Sequence, residues 1–147
     1  MFFFQKMMLP NISEFIKNHV TKRDVSFFHY DLISSQEKLI DEIKGKSILV
    51  IGGAGTIGSS FIKAALRYNP SELIVVDTNE NGLTELTRTL RSDSKMIVPE
   101  NYLTYPMSFN SDVFYKMLEK HGAFDVVANF AAHKHVRSEK DSFSIEA

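Results

Sequence analysis

The chain has 147 residues, 44% of them apolar and 24% charged, which is enough for one domain with a real core and too few for two full ones. Its 17 basic and 18 acidic residues leave a formal net charge of -1, without the basic excess that a nucleic-acid or membrane-surface partner normally shows. The absence of cysteine excludes disulfides and thiolate metal sites and fits a reducing, cytoplasmic setting.

Met1 to Leu9, MFFFQKMML, is apolar, but Gln5 and Lys6 interrupt it and Pro10 ends it. It falls far short of the roughly 20 apolar residues of a spanning helix and lacks the layout of a signal peptide. It reads as a frayed start or a docking segment. Two helices are expected before Gly45, the first over Asn11 to Val20. The second starts at Ser34, where Ser34 and Glu37 have capping-box spacing, and Leu39, Ile40 and Ile43 share one face. Gly45 suits the left-handed position after its last turn.

From Gly45 onward strand and helix patterns alternate. Ile48 to Ile51 is a wholly apolar run, as in a strand covered on both faces. A glycine-rich turn follows, then a helix on which Ile57, Phe61, Ala64 and Tyr68 have helical spacing until Asn69-Pro70 stops it. Leu73 to Val76 forms a second buried strand, and Leu83, Leu86 and Leu90 mark the next helix. Met96 to Val98 is the candidate third strand. Ser111 caps a helix bearing Phe114, Met117 and Leu118 that ends at Gly122, and Phe124 to Ala132 is a fourth strand running into a loop. Four such units imply an α/β fold: the N-terminal half of a Rossmann-type doubly wound parallel sheet, preceded by short helices. The expected organisation is an N-terminal helical extension over residues 1–44 and a dinucleotide-binding Rossmann domain over 45–147.

The turn reads GGAGTIG from Gly52 to Gly58. A dinucleotide pyrophosphate must approach the backbone closely at a helix N-terminus, where free N–H groups and the helix dipole favour negative charge, and side chains would block that approach. Gly53, Gly55 and Gly58 satisfy G-x-G-x-x-G; Gly52, Gly55 and Gly58 satisfy the G-x-x-G-x-x-G spacing used by short-chain dehydrogenase/reductase folds. Thr56 and Ile57 complete the candidate cofactor loop. A structural glycine turn in another α/β domain would share these glycines, so context decides: an apolar strand before, an amphipathic helix after, and Asp77 at the end of the next strand. Asp77 lies 19 residues beyond Gly58 (77 minus 58), close to the separation of about 20 expected for a ribose-binding carboxylate. A carboxylate there accepts from both adenosine hydroxyls and repels a 2′-phosphate, and Thr78, Asn79, Glu80 and Asn81 bring no cation, so NAD is favoured over NADP. Asp77 could also serve as a turn or N-cap residue of the following helix.

The fourth strand delivers NFAAHKHVRSEKD, small residues followed by a dense polar group, beyond a strand's carboxyl end where open α/β sheets bind ligands. His133 and His135 lack a third ligand of sensible spacing for a metal; a plain solvated loop is the other reading.

Together, GGAGTIGSSFIKAAL, LIVVDTNENGLTEL and DVVANFAAHKHVRSEKDSFSIEA resemble the extended short-chain dehydrogenase/reductases of polysaccharide biosynthesis, nucleotide-sugar 4,6-dehydratases and epimerases acting typically on UDP-N-acetylglucosamine. The resemblance runs from Lys44 to the end, and Ala131, Ala132, His133, Lys134, His135 and Val136 carry its most specific part. It implies that Gly52, Gly55 and Gly58 contact the pyrophosphate, Asp77 the adenosine ribose, and Phe130, Ala131 and Ala132 the nicotinamide side. Lys134 and His135 would lie near the cofactor ribose or the sugar nucleotide. Relatives usually carry an Asp after the third strand that meets adenine, where this chain reads TYPMSF.

The family's chemistry also uses a Tyr-x-x-x-Lys pair, the Lys lowering the pKa of a Tyr base. Four residues after Tyr30, Tyr68, Tyr102, Tyr105 and Tyr115 come Ser34, Glu72, Pro106, Phe109 and Glu119, so no pair is formed, and no catalytic residue is assigned. The expectation is therefore the cofactor-binding portion of a longer enzyme, with a UDP-sugar as the full enzyme's substrate, homo-oligomers as the form of assembly, and neither a nucleic acid nor a membrane span. The alternative is a stand-alone or degenerate NAD-binding module without catalysis.

Overall fold

The computed structural model describes residues 11–132, which fall into two compact units divided between Glu37 and Lys38. In the first, helix α1 (Ile12–Phe15) continues as a π-helical turn, Ile16–Thr21, closed by Lys22 in the left-handed region at φ 51°. Lys17 pairs with Asp24, and the Arg23 guanidinium sits 3.5 Å above the ring of Phe27. Helix α2 (His29–Ser34) follows. The capping box expected at Ser34 does not form. The Ser34 hydroxyl instead donates back to the Asp31 carbonyl at 3.1 Å, so Ser34 closes α2 rather than opening the next helix. A serine hydroxyl competes for nearby backbone in this way wherever the preceding turn is already helical.

Helix α3 (Gln36–Ile43) turns Leu39, Ile40 and Ile43 to its half-buried face, and Gly45 takes the left-handed conformation (φ +70°) that the sequence requires of it. Beyond it lies a four-stranded, all-parallel sheet: β1 (Ser47–Ile51), β2 (Glu72–Asp77), β3 (Asn101–Pro106) and β4 (Val126–Asn129), in the spatial order β3-β2-β1-β4. Registers are continuous, with Ile51 opposite both Val76 and Asn129. Helices α4 (Thr56–Ala65, extended by a 3₁₀ turn to Tyr68) and α5 (Glu80–Ser92) cover one face, and α6 (Asp112–His121) covers the other. The fold is thus the doubly wound Rossmann-like α/β architecture expected.

Alternate residues of β1 and β2 feed two cores. Ile48, Val50, Leu73 and Val75 pack with Ile62, Leu66, Leu83, Leu86 and Leu90, whereas Leu49, Ile51, Ile74 and Val76 pack with Phe114 and Met117. Burial on both faces explains the uninterrupted apolar strands, since each such side chain contributes about 1.5–3 kcal/mol. Tyr102 closes the first core; its hydroxyl lies 3.1 Å from Thr87 Oγ1, and burial pushes that phenol's pKa up.

Two local expectations are corrected. Met96 to Val98 is not a strand; the third strand begins at Asn101. The short apolar run only packs against the first core from the loop before it. On α4, the buried positions are Gly58, Ile62 and Ala65, while Ile57 is 61% exposed. The helix is rotated about one residue from the face read in the sequence, because Gly58, not Ile57, must lie against the strand.

At the amino end of the sheet Asp125 ties β4 to β1. Its Oδ2 accepts from Ser47 N (2.8 Å) and Ser47 Oγ (2.9 Å), and Asp125 N donates to Ser47 Oγ at 3.0 Å. These bonds from Ser47, with Lys46 nearby, hold the Asp125 carboxyl below its ordinary value of 3.8. Because the folded value is the lower one, this stabilisation is complete above pH 3.8 and fades as pH falls through the folded value. Asp125→Ala should therefore lower Tm at neutral pH, with the gap to the unsubstituted chain narrowing in acid; thermal melts across pH 2 to 7 measure it, and a pH-independent gap would contradict the linkage.

Candidate cofactor cleft

The carboxyl ends of the strands meet at the point where chain order reverses, with β1 flanked by β2 and β4. Crossovers diverge to opposite faces at such a point and leave a crevice between them. Here the crevice is a cleft of about 450 Å³ walled by Ile51, Gly52 and Gly55 after β1, Val76, Asp77 and Thr78 after β2, Met107 to Asn110 after β3, and Phe130 to Ala132 after β4.

The glycine turn is built by backbone contacts that leave no space for side chains. Gly52 N donates to Val76 O at 2.7 Å, and Gly52 has a φ of +76°. A Cβ on Gly52 would fall 2.6 Å from Ala131 N, so this residue lets the β1 and β4 loops touch. A Cβ on Gly53 would lie 2.3 Å from Val75 Cγ1, and one on Gly58 would lie 2.3 Å from Gly52 O. These two glycines are buried packing points between α4 and the sheet, not walls of the cleft. Gly55 differs: a Cβ there meets only Gly52 O at 3.5 Å, its φ of -73° and ψ of 167° suit any residue, and it lines the cleft.

Gly55 is also the N-cap of α4 and provides no side-chain acceptor, so the helix begins without a side-chain cap. The N–H groups of the first turn and the positive end of the helix dipole stand beside the cleft. Thr56 and Ile57, both exposed in that turn, are not among the lining residues.

Among the lining residues Asp77 alone is charged. Its Oδ2 accepts from Ala54 N and its Oδ1 from Asn79 N, both at 2.9 Å. The N-cap of α5 is Asn79, whose Oδ1 accepts from Gly82 N at 2.9 Å. Asp77 therefore does not cap that helix, and its carboxylate faces the turn and the cleft. On the β4 side, Asn129 Oδ1 accepts from Ala131 N (2.9 Å) and turns the chain, while the Phe130 ring packs 5.2 Å from that of Phe61 on α4.

The structure brings Gly52, Gly55, Asp77, Phe130, Ala131 and Ala132 together around one cleft. Lys134 and His135 lie outside the described residues, as do His133 and Val136. Sequence reading missed Met107, Ser108, Phe109 and Asn110 as a wall. Sequence reading set TYPMSF after the third strand; in the structure Thr104 to Pro106 still belong to β3, and only from Met107 does the chain leave the sheet at the cleft, with Ser111, which accepts from Phe114 N at 3.3 Å, at the far end of that loop.

A family model described as polysaccharide biosynthesis protein matches residues 48–146. A probable polysaccharide biosynthesis protein EpsC of Bacillus subtilis is 30% identical over 100 residues, 67% of this chain and 16% of that one. An uncharacterized membrane protein of Methanocaldococcus jannaschii is 46% identical over 50 residues, 34% of this chain and 15% of that one. Among the described residues, no helix is long and apolar enough to cross a membrane. The X-ray structure of Pen from Bacillus thuringiensis superposes with a TM-score of 0.56 at 26% identity, covering 69% of this chain and 30% of that chain. The chain thus spans about a sixth of the length of the curated relatives it matches.

The glycines separate by role under substitution. Gly58→Ala should cost about 1–3 kcal/mol, since the colliding atoms are backbone, whereas Gly55→Ala should stay within about 0.5 kcal/mol of the parent. Denaturant unfolding of both variants measures this, and equal losses would refute the assignment.

Proposed function

The chain belongs to the polysaccharide biosynthesis protein family, and on that premise we propose that it is the NAD-binding portion of a nucleotide-sugar 4,6-dehydratase or epimerase acting on a UDP-N-acetylglucosamine-like substrate. The observation that carries the proposal is the cleft: an uncapped helix N-terminus at Gly55 on one side and a lone carboxylate, Asp77, on the other. In this reading the pyrophosphate lies over Gly52 and Gly55 at the first turn of α4, including the N–H groups of Thr56 and Ile57, with Gly53 and Gly58 keeping the helix close enough to the strand. Asp77 accepts from the adenosine hydroxyls, and a 2′-phosphate would meet its negative charge without a compensating cation among the lining residues, which favours NAD over NADP. Phe130, Ala131 and Ala132 flank the nicotinamide, and Lys134 and His135 are assigned to the sugar-nucleotide side.

Bound there, NAD would supply hydride acceptance and return at the sugar. This chain's own part is to bind, orient and shield the cofactor, since it carries no Tyr-x-x-x-Lys pair to move the accompanying proton. The second reading is an NAD-binding module without catalysis.

Calorimetric titration tests the cofactor assignment that both readings share. NAD should bind at least tenfold more tightly than NADP, and Gly55→Ala should weaken NAD by about tenfold or more, roughly 1.4 kcal/mol, because its Cβ occupies the phosphate approach. Absence of NAD binding, or a preference for NADP, would overturn the reading. UDP-N-acetylglucosamine consumption by the full-length gene product, assayed with NAD, distinguishes the enzyme from the non-catalytic module.

A further inference from the structure

The junction between β2 and α5 grips the glycine turn from two directions. Ala54, half-buried within that turn, donates its N–H to Asp77 Oδ2 at 2.9 Å. On the other side its methyl group faces Gly82, where an added Cβ would fall 2.9 Å from Ala54 Cβ and equally close to the Asn79 side chain. Asn79 is itself fixed: its N–H donates to Asp77 Oδ1, and its side chain caps α5 through Gly82 N, both at 2.9 Å. Asp77, Asn79, Gly82 and Ala54 thus form one closed set of contacts.

Gly82 stands in the first turn of a thirteen-residue helix, where alanine is the better helix former. Its lack of a side chain is explained by the methyl of Ala54 in the neighbouring turn together with the Asn79 cap, not by helix propensity. The Asp77 carboxylate, for its part, spends one lone pair of each oxygen on backbone N–H groups and keeps a second on each for a ligand.

The geometry points to Asp77 and Gly82 as positioning residues that hold the glycine turn in its ligand-ready shape, a role separate from any contact of Asp77 with ribose. This rests on the NAD-binding reading of the cleft. It means that affinity for the diphosphate, and not only for the ribose hydroxyls, depends on Asp77, and that Gly82, which does not line the cleft, controls the same affinity from behind.

ADP and 2′,3′-dideoxy-ADP, titrated by calorimetry into the chain and its Asp77→Ala and Gly82→Ala variants, test the inference. With dideoxy-ADP there are no ribose hydroxyls for Asp77 to accept from, yet both variants should bind it about tenfold more weakly than the parent. Equal affinity of Asp77→Ala and parent for dideoxy-ADP would confine Asp77 to the hydroxyls and overturn the proposal for it; unchanged binding by Gly82→Ala would do the same for Gly82. Amide hydrogen exchange of the free proteins supplies the control for folding. Exchange at Ala54 should rise selectively in both variants while Val50, in the centre of β1, stays protected, and a uniform rise would overturn the positioning role. If the parent binds neither nucleotide, the NAD reading fails, and the exchange at Ala54 still decides whether Asp77 and Gly82 hold the turn.

Discussion

At Gly58 the first turn of α4 lies directly on the carbonyl of Gly52, with no volume for even one methyl group. That approach fixes where the helix begins, how it is rotated and which of its residues reach the core. Ile62 can be fully buried against Val50 and Val75 only because Gly58 and Gly53 let the helix come so close. The same approach carries the uncapped start of α4 to the rim of the cleft. Packing and binding therefore draw on a single constraint: a backbone bare enough for a helix to settle on is also bare enough for an anion to reach.

The remaining walls follow from sheet topology. Reversal of chain order at β1 places α4 and α6 on opposite faces, and the strands' carboxyl ends open between them. Asp77 arrives from β2 as a half-buried carboxylate already committed to two backbone donors. A group held in that way is oriented before any ligand arrives, so little side-chain freedom remains to be lost on binding.

Much of this was legible in the residues. Strands β1 and β2 announce themselves because burial on both faces leaves an unbroken apolar run, and α5 does so because Leu83, Leu86 and Leu90 recur at helical spacing. The glycines and Asp77 could be read because their spacing reflects backbone geometry, not packing detail. Where reading failed, tertiary contact outweighed local pattern. Strand β3 lies at the edge of the sheet, and its half-exposed residues (Leu103 is 42% exposed) leave no apolar run, so Met96 to Val98 looked more strand-like than Asn101 to Pro106. The rotation of α4 was hidden because glycine has no hydropathy signal, although Gly58 decides which face turns inward. Ser34 shows the same limit at a helix end, where spacing permits a capping box and a backward hydrogen bond equally well.

The lacing of Ser47 to Asp125 joins residues 78 positions apart, whereas Ser47 and Glu72, which face each other in β1 and β2, are separated by 25 positions (72 minus 47). Chain closure grows costlier with the logarithm of the loop, which makes the β1–β4 pairing about 1 kcal/mol harder to bring together than β1–β2. The pairing that carries Phe130 to Ala132 into the cleft is consequently the least local in the sheet. On a ribosome β1 and β2 can meet within one helix's length of synthesis, while the outer edge of β1 waits for four more elements, β4 included, to emerge. Asp125, at the opposite end of β4 from the cleft, bonds to Ser47 and so offsets part of that closure cost once the strands have met.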